Sequence, residues 1–266
     1  MTRDSYRPDD KTIVYSMKNE PSVKTMAFQC RGTYPDMYET YHRFSKKFRI
    51  PMDNFILTNG CENAARWAFL FFRDKKIWLE HPGWGMTKVI CEAFGIEHGS
   101  FEYHYDQNSN RFYTDSIPDG VVYTTDRYNN LFMHENVPLK RGVLDETYTL
   151  NTLLNAGRSL EKNKIVIGSF SKFAGCDLRL GYVLFHKAHN SFFQMMREQY
   201  INKAAVDFIC NHLDGWSRPE LIEQTKGRTV TYHPVYATFR KNAINVPYKG
   251  FEVDGVNFCR VGRVVK

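Results

Sequence analysis

The chain has 266 residues, 42% of them hydrophobic and 24% charged, which is length enough to bury a large core and an ordinary balance for a soluble globular protein. Its formal charge of +7 is spread over scattered pairs such as Lys46-Lys47 and Lys75-Lys76, without a basic arm, stripe or zinc-finger spacing, which argues against a nucleic-acid-binding module. No apolar run approaches the roughly 20 residues of a membrane span, and Met1 to Lys11 lacks the apolar stretch of a secretory signal.

Taken along the chain, Glu39–Phe48 reads as a helix and Phe55–Thr58 as a strand. That strand turns through Gly60 into a second helix, on which Ala64, Trp67, Ala68 and Phe71 recur at i, i+3, i+4 and i+7. A helix start presents unpaired amides and a partial positive charge, so Gly60, Cys61 and Glu62 suit a phosphate. Ile77–Leu79 is a strand, and Trp84–Phe94 a helix with Met86, Val89, Ile90 and Ala93 on one face. Asp106–Arg111 is a polar loop. Val121–Thr125 and Gly142–Asp145 are strands, the second running into Glu146-Thr147-Tyr148. Ile165–Ser169 leads into Phe170-Ser171-Lys172, and Tyr182–Phe185 follows Arg179 as a further strand. Helical patterns return at Asn190–Leu213 and Glu220–Thr229. The alternation implies an α/β fold with a mostly parallel sheet flanked by helices, whose ligands lie at the C-terminal strand ends. Gly60, Asn129 and Asp145 all stand at such ends.

The chemistry concentrates around Lys172. It follows a β-rich segment, stands beside the hydroxyls of Ser169 and Ser171, and precedes Arg179, an arrangement able to hold an aldehyde covalently and a phosphate electrostatically. Pyridoxal 5'-phosphate has both groups. An acid at Asp145 can keep a pyridine nitrogen protonated, so that the ring acts as an electron sink. Taken singly, the run is also compatible with a buried strand ending in a solvated Lys/Arg turn, and Asp145 with a loop-starting residue. The nine histidines form no metal-spaced cluster, so no metal is expected, and the six cysteines contain no Cys-x-x-Cys pair and fit free thiols in a reducing cytoplasm.

Gly168-Ser169-Phe170-Ser171-Lys172-Phe173-Ala174-Gly175, closed by Leu178-Arg179-Leu180-Gly181, resembles the cofactor-lysine signature of fold-type I, class I/II aminotransferases. Lys18-Asn19-Glu20-Pro21, Thr33-Tyr34-Pro35-Asp36 and His81-Pro82-Gly83-Trp84-Gly85-Met86 are similar to the Asn-Glu-Asn-Pro, Tyr-Pro-Asp and Pro-x-Tyr-Gly-Met segments of histidinol-phosphate aminotransferases. Asn257-Phe258-Cys259-Arg260-Val261-Gly262 resembles the strand whose arginine grips the substrate carboxylate.

The resemblance implies pyridoxal 5'-phosphate as cofactor, with Lys172 as covalent anchor and general acid/base and Asp145 under the ring nitrogen. It places Tyr148 and Asn129 at the 3'-oxygen and Trp84 on the ring face. Gly60, Cys61, Glu62, Ser169, Ser171 and Arg179 complete the cofactor site, joined by Tyr34 from the neighbouring subunit of a homodimer. Arg260 and Asn19 would meet the substrate. The implied organisation is an N-terminal arm over 1–29, a large cofactor domain over 30–188 and a reduced α+β small domain over 189–266. The implied activity is transamination between an amino acid or amino-alcohol phosphate and a 2-oxo acid. The alternatives are a decarboxylase of the same fold and a cofactor-binding protein with little turnover. Two departures stand out. Asp126-Arg127-Tyr128-Asn129-Asn130 replaces the usual Asn-Pro-x-Asn-Pro loop, and Lys172 and Arg179 are one residue closer than usual, with Cys176-Asp177 between them.

Overall fold

The computed structural model describes residues 37–155, 160–174, 178–197, 200–218, 229–232, 236–240 and 250–262. Its centre is a seven-stranded sheet of β1 (Phe55–Thr58), β2 (Ile77–His81), β3 (His98–Glu102), β6 (Val121–Thr125), β7 (Gly142–Asp145), β8 (Lys164–Ser169) and β9 (Gly181–Leu184). The spatial order is β1-β9-β8-β7-β6-β2-β3. The pairs from β8 through β7, β6 and β2 to β3 are parallel, whereas β9 runs antiparallel to both β8 and β1. The ends of β1, β2, β6, β7 and β8 therefore share one edge. All five residues of β6 are buried, as a β-branched strand covered on both faces should be. Gly142 opens β7 at φ 137°, where any side chain would collide with the Val122 carbonyl. The mostly parallel sheet with flanking helices is the expected fold class.

On one face of the sheet, α2 (Cys61–Phe71), α3 (Met86–Ala93) and α5 (Asn190–Arg197) cover Ile56, Ile165, Ile167 and Val183. On the other face, α1 (Met37–Phe48) and α6 (Lys203–Asp207) pack over Phe55, Leu57, Val166 and Tyr182. A short α4 (Asn151–Leu154) adds Leu153 to that second core. Ala64, Ala65 and Ala68 let α2 lie close over β8 and β9, with Trp67 and Phe71 at its margin.

Two expectations need correction, and a third lies almost wholly outside the described residues. The buried face of α3 is Thr87, Ile90 and Cys91, while Val89 and Ala93 are exposed, so the helix is rotated from the apolar stripe that its sequence suggests. The helix expected over 190–213 is broken: α5 ends at Arg197, and Asn202 starts α6 by accepting the Ala205 amide at 2.9 Å. An asparagine that satisfies a helix-start amide competes with continuation of the helix. Most of the helix expected over 220–229 lies outside the described residues, and Thr229 begins a strand.

The remaining strands carry weak local signals. β4 (His104–Asp106) and β5 (Arg111–Tyr113) form a hairpin around the polar turn, where Asp106 accepts the Asn108 and Ser109 amides. β10 (Thr229–Tyr232), β11 (Tyr236–Arg240), β13 (Val256–Gly262) and β12 (Phe251–Val253) form a four-stranded antiparallel sheet in that order. It docks on the large sheet through an aromatic core in which Phe112 stacks on Phe132 at 4.0 Å and Phe258 lies 5.0 Å from Phe112.

Candidate active site

The shared strand edge gathers the sequence candidates. After β1 the chain turns at Gly60, φ 83°, which is the N-cap of α2. A Cβ there would stand 3.3 Å from the Arg179 guanidinium, so the arginine lies directly against the helix start. Arg179 is exposed and itself has φ 48°. That left-handed conformation is uncommon outside glycine. It is braced by Asn202, whose Nδ2 donates to the Leu178 carbonyl at 2.9 Å and the Arg179 carbonyl at 3.3 Å. Asn59 Oδ1 accepts the Asn202 amide at 2.8 Å. First-turn amides and a guanidinium side by side form an anion cradle. Glu62 contributes only backbone to this cradle, because its carboxylate pairs with Arg66 at 2.6 Å along the helix.

Asp145, at the end of β7, is buried and accepts the Tyr123 hydroxyl at 2.7 Å and the Thr147 amide at 2.8 Å. Burial raises its pKa, and these hydrogen bonds work against the rise. The Cys61 thiol is 3.7 Å from both carboxylate oxygens. Burial pushes that thiol well above its usual range, the Asp145 charge adds to the effect and Lys172 opposes it. Cys61 thus stands where the fields of the acid and the lysine meet, and remains a neutral donor.

Lys172 ends a single 3-10 turn, Phe170–Lys172, that continues β8. Ser169 caps the turn: its Oγ accepts the Ser171 amide at 3.1 Å and lies 3.0 Å from Ser171 Oγ. The buried Ser169 hydroxyl therefore serves the turn that aims the lysine. Lys172 Nζ lies over the Tyr148 ring, 5.3 Å from its centre, so these two candidates meet.

On the other side of the edge, Trp84 is half-buried at the start of α3, its carbonyl accepting the Thr87 amide at 3.0 Å. Asn129 is fully buried. Its Oδ1 accepts the Leu131 and Phe132 amides at 2.7 and 2.9 Å, and its Nδ2 donates to the Pro82 carbonyl at 3.1 Å. The asparagine thus ties the turn after β6 to the loop that carries Trp84. From β13, Arg260 donates to the Asn130 carbonyl, and from β11, Thr238 donates to the Leu131 carbonyl. Tyr34 and Asn19 lie outside the described residues, as do Gly175, Cys176 and Asp177.

The sequence reading passed over Tyr123, Asn59 and Asn202. Only strand register could have found Tyr123, which lies on the same face of β6 as Asp145 on the neighbouring strand. Among the described residues, no group of three or more His, Cys, Asp or Glu could hold a metal ion. No helix among them is long and apolar enough to cross a membrane.

Compared with known proteins, the chain matches no protein-family model and no curated protein in sequence. Its fold matches solved structures. The L-threonine-O-3-phosphate decarboxylase from Porphyromonas gingivalis is similar at a TM-score of 0.55 and 18% identity, covering 68% of this chain and 59% of that one. The histidinol-phosphate aminotransferase from Clostridium acetobutylicum is similar at 0.53 and 14%, covering 79% and 74%. The histidinol-phosphate aminotransferase from Sinorhizobium meliloti, in complex with pyridoxal-5'-phosphate, is similar at 0.53 and 14%, covering 69% and 56%. The chain therefore spans less than two thirds of the length of the decarboxylase, and it shares with these enzymes the fold-type I architecture.

Proposed function

We propose that the protein is a pyridoxal-phosphate-dependent aminotransferase, acting on an amino acid or an amino-alcohol phosphate of the histidinol-phosphate kind with a 2-oxo acid as partner. The observation that carries this reading is the convergence of Lys172, the buried Asp145 and the Gly60–Arg179 cradle on one strand edge. The donor set fits the group. A Cβ at Gly60 would press on the Arg179 guanidinium, so the first-turn amides and the arginine are close enough to share one anion, and Asp145 is an acid whose burial favours pairing with a ring N–H. When bound, the cofactor supplies an electron sink for the charge left on the substrate Cα.

The chain's own residues supply the rest. The Gly60–Arg179 cradle would hold the phosphate, Asp145 would keep a proton on the ring nitrogen, and Trp84 would offer a ring to stack on. Tyr148 would serve the 3'-oxygen, whereas Asn129, expected there as well, is buried and bonded to Leu131, Phe132 and Pro82 and sets the turn beside it. Lys172 would hold the cofactor aldehyde covalently, and its free amine would be the group that takes the proton from the substrate Cα. Arg260, anchored by the Asn130 carbonyl, orients the substrate carboxylate. The reading includes a homodimer in which Tyr34 of the partner subunit reaches the phosphate, and a reducing, cytoplasmic setting. Sedimentation at micromolar concentration tests the dimer: full activity in a monomer removes Tyr34 from the site.

The test of the activity is an absorbance spectrum after reconstitution with pyridoxal phosphate, then addition of amino acids one at a time. The expected result is a visible band that borohydride bleaches and fixes to the Lys172 peptide, and an amino donor that yields a keto product. Label on another lysine, or no cofactor uptake, overturns the reading. Release of carbon dioxide in place of a keto acid turns it into the decarboxylase of the same fold.

A further inference from the structure

Behind the site lies a buried polar cluster that the transamination reading leaves unused. Glu80 projects from β2 toward the small sheet and is 4% exposed. Its Oε2 accepts the Thr125 amide at 3.1 Å and lies 3.2 Å from Thr125 Oγ1, 3.4 Å from Thr124 Oγ1 and 3.3 Å from the Tyr103 hydroxyl. Its Oε1 is buried and has no hydrogen-bond partner among the described residues. His134, also buried, places Nε2 2.8 Å from Thr125 Oγ1 and Nδ1 2.7 Å from the Glu135 carbonyl.

The protons in this cluster can be counted. A carbonyl has none to give, so Nδ1 of His134 carries one. Burial holds the imidazole at a pKa of about 4, so the ring is neutral and Nε2 offers a lone pair. The Thr125 hydroxyl is the nearest donor to Nε2 at 2.8 Å, since the Tyr103 hydroxyl lies 3.3 Å from both ring nitrogens and so over the ring rather than along one lone pair; with the Thr125 proton on Nε2, its contact with Glu80 is satisfied when the carboxyl is the donor. Two further facts agree. An ionised Glu80 would leave Oε1 charged and undonated in the core, and would set a second negative charge near Asp145. The same burial lifts the Glu80 pKa to about 8.

We propose that Glu80 is a positioning residue that keeps its proton in the working protein and, through Thr125 and His134, holds the turn carrying Asn129 against the loop carrying Trp84. His134 is the far anchor of that turn, its amide donating to the Arg127 carbonyl at 2.7 Å. The Asn129 bond to Pro82 closes the same pair of loops two residues beyond Glu80. The groups facing Glu80 are Asp145 and Tyr123 in the large sheet, Tyr103 after β3 and His134 in the turn; burial and the Asp145 charge favour the neutral carboxyl, the hydrogen bonds from Thr125 and Tyr103 act against them, and the tyrosines and the histidine are themselves neutral. What this hold does for a bound cofactor rests on the cofactor reading above, whereas the hold on the turn does not.

The experiment uses the full chain without cofactor first. Infrared difference spectra of wild type against Glu80→Gln at about pH 7 are expected to show a protonated carboxyl band belonging to Glu80, disappearing around pH 8. A Glu80 already ionised at about pH 6 overturns the proposal. Amide exchange over residues 125–134 is expected to match wild type in Glu80→Gln, which keeps a donor, and to be about tenfold faster in Glu80→Ala. Unchanged exchange in Glu80→Ala overturns it as well. If Glu80→Ala does not fold, wild type and Glu80→Gln decide: only wild type should lose protection beyond the intrinsic base-catalysed rise above about pH 8. After reconstitution, Glu80→Gln should hold its visible band at alkaline pH where wild type loses it. A wild type that takes up no cofactor sinks the cofactor reading and leaves the two cofactor-free tests to judge Glu80.

Discussion

The Tyr123 hydroxyl donates to Asp145 at 2.7 Å from the adjacent parallel strand, beneath the place assigned to the cofactor ring. This bond is shorter than the 3.7 Å contacts from Cys61, and with Thr147 it favours the charged form against the burial that raises the pKa. Tyr123→Phe should therefore weaken pyridoxal phosphate binding by about tenfold, the worth of one hydrogen bond to a charged group. Asp145→Ala should go further, lowering kcat and kcat/KM together, since it removes stabilisation made in the transition state. Cofactor titration and steady-state kinetics on the two variants give the comparison, and near-parental turnover in Asp145→Ala would move the role to another acid.

Lys172→Ala keeps the anion cradle and the acid, so it should still bind the cofactor without a covalent link. Borohydride should then label no peptide, and turnover should fall by at least about a hundredfold, the usual contribution of a positioned acid/base. Mass spectrometry of the reduced protein checks the first outcome and a product assay the second.

Gly60→Ala tests the phosphate cradle. Alanine at φ 83° costs about 1 kcal/mol of backbone strain, and its Cβ would crowd the Arg179 guanidinium at 3.3 Å. Binding of pyridoxal 5'-phosphate should drop by about tenfold or more while binding of unphosphorylated pyridoxal stays as it was. Equal losses for both would show that the cradle does not read the phosphate.

Glu146 gives a pH dependence of stability. It is buried beside Asp126, accepts the Thr152 amide at 2.8 Å, and is pushed up to about 8 mainly by burial. Between its ordinary value of 4.5 and about 8 the folded chain binds a proton that the unfolded chain has released. The contribution is complete below that window and is lost as pH rises through it, at up to about 1.4 kcal/mol per pH unit. His134 works in the opposite sense between about 4 and 6.5 and Glu80 in the same sense up to about 8, but both are shared by wild type and variant, so above about 6.5 the difference between the two reports Glu146. Urea unfolding of Glu146→Gln over that interval should show a shallower decline than wild type.

Local pattern made the strand-glycine-helix joint, the acid ending β7 and the serine-flanked lysine legible in the sequence, since each is a short run whose meaning lies in its own neighbours. What stayed hidden depends on distant pairing. Nothing near Tyr123 says that its ring spans to the next strand, and nothing near Asn202 says that it braces Arg179 across 23 residues. The apolar stripe of α3 misled because Val89, like the neighbouring Phe94, remains on the surface. The strands of the small sheet are brief or irregular, with a register shift between β10 and β11, and carry little of the alternation that marks a strand.

The attachment of the small sheet has a mechanical meaning. Thr238 and Arg260 sit opposite each other on β11 and β13 and hook adjacent carbonyls, those of Leu131 and Asn130. A rotation of that sheet therefore loads the peptide stretch whose amides Asn129 holds, along with the β4–β5 hairpin, where Asp254 accepts the Tyr105 amide at 2.7 Å. On the function proposed above, residues 129–132 would link the arginine meant for the carboxylate to the loop meant for the ring, and a substitution that loosens them should weaken both together.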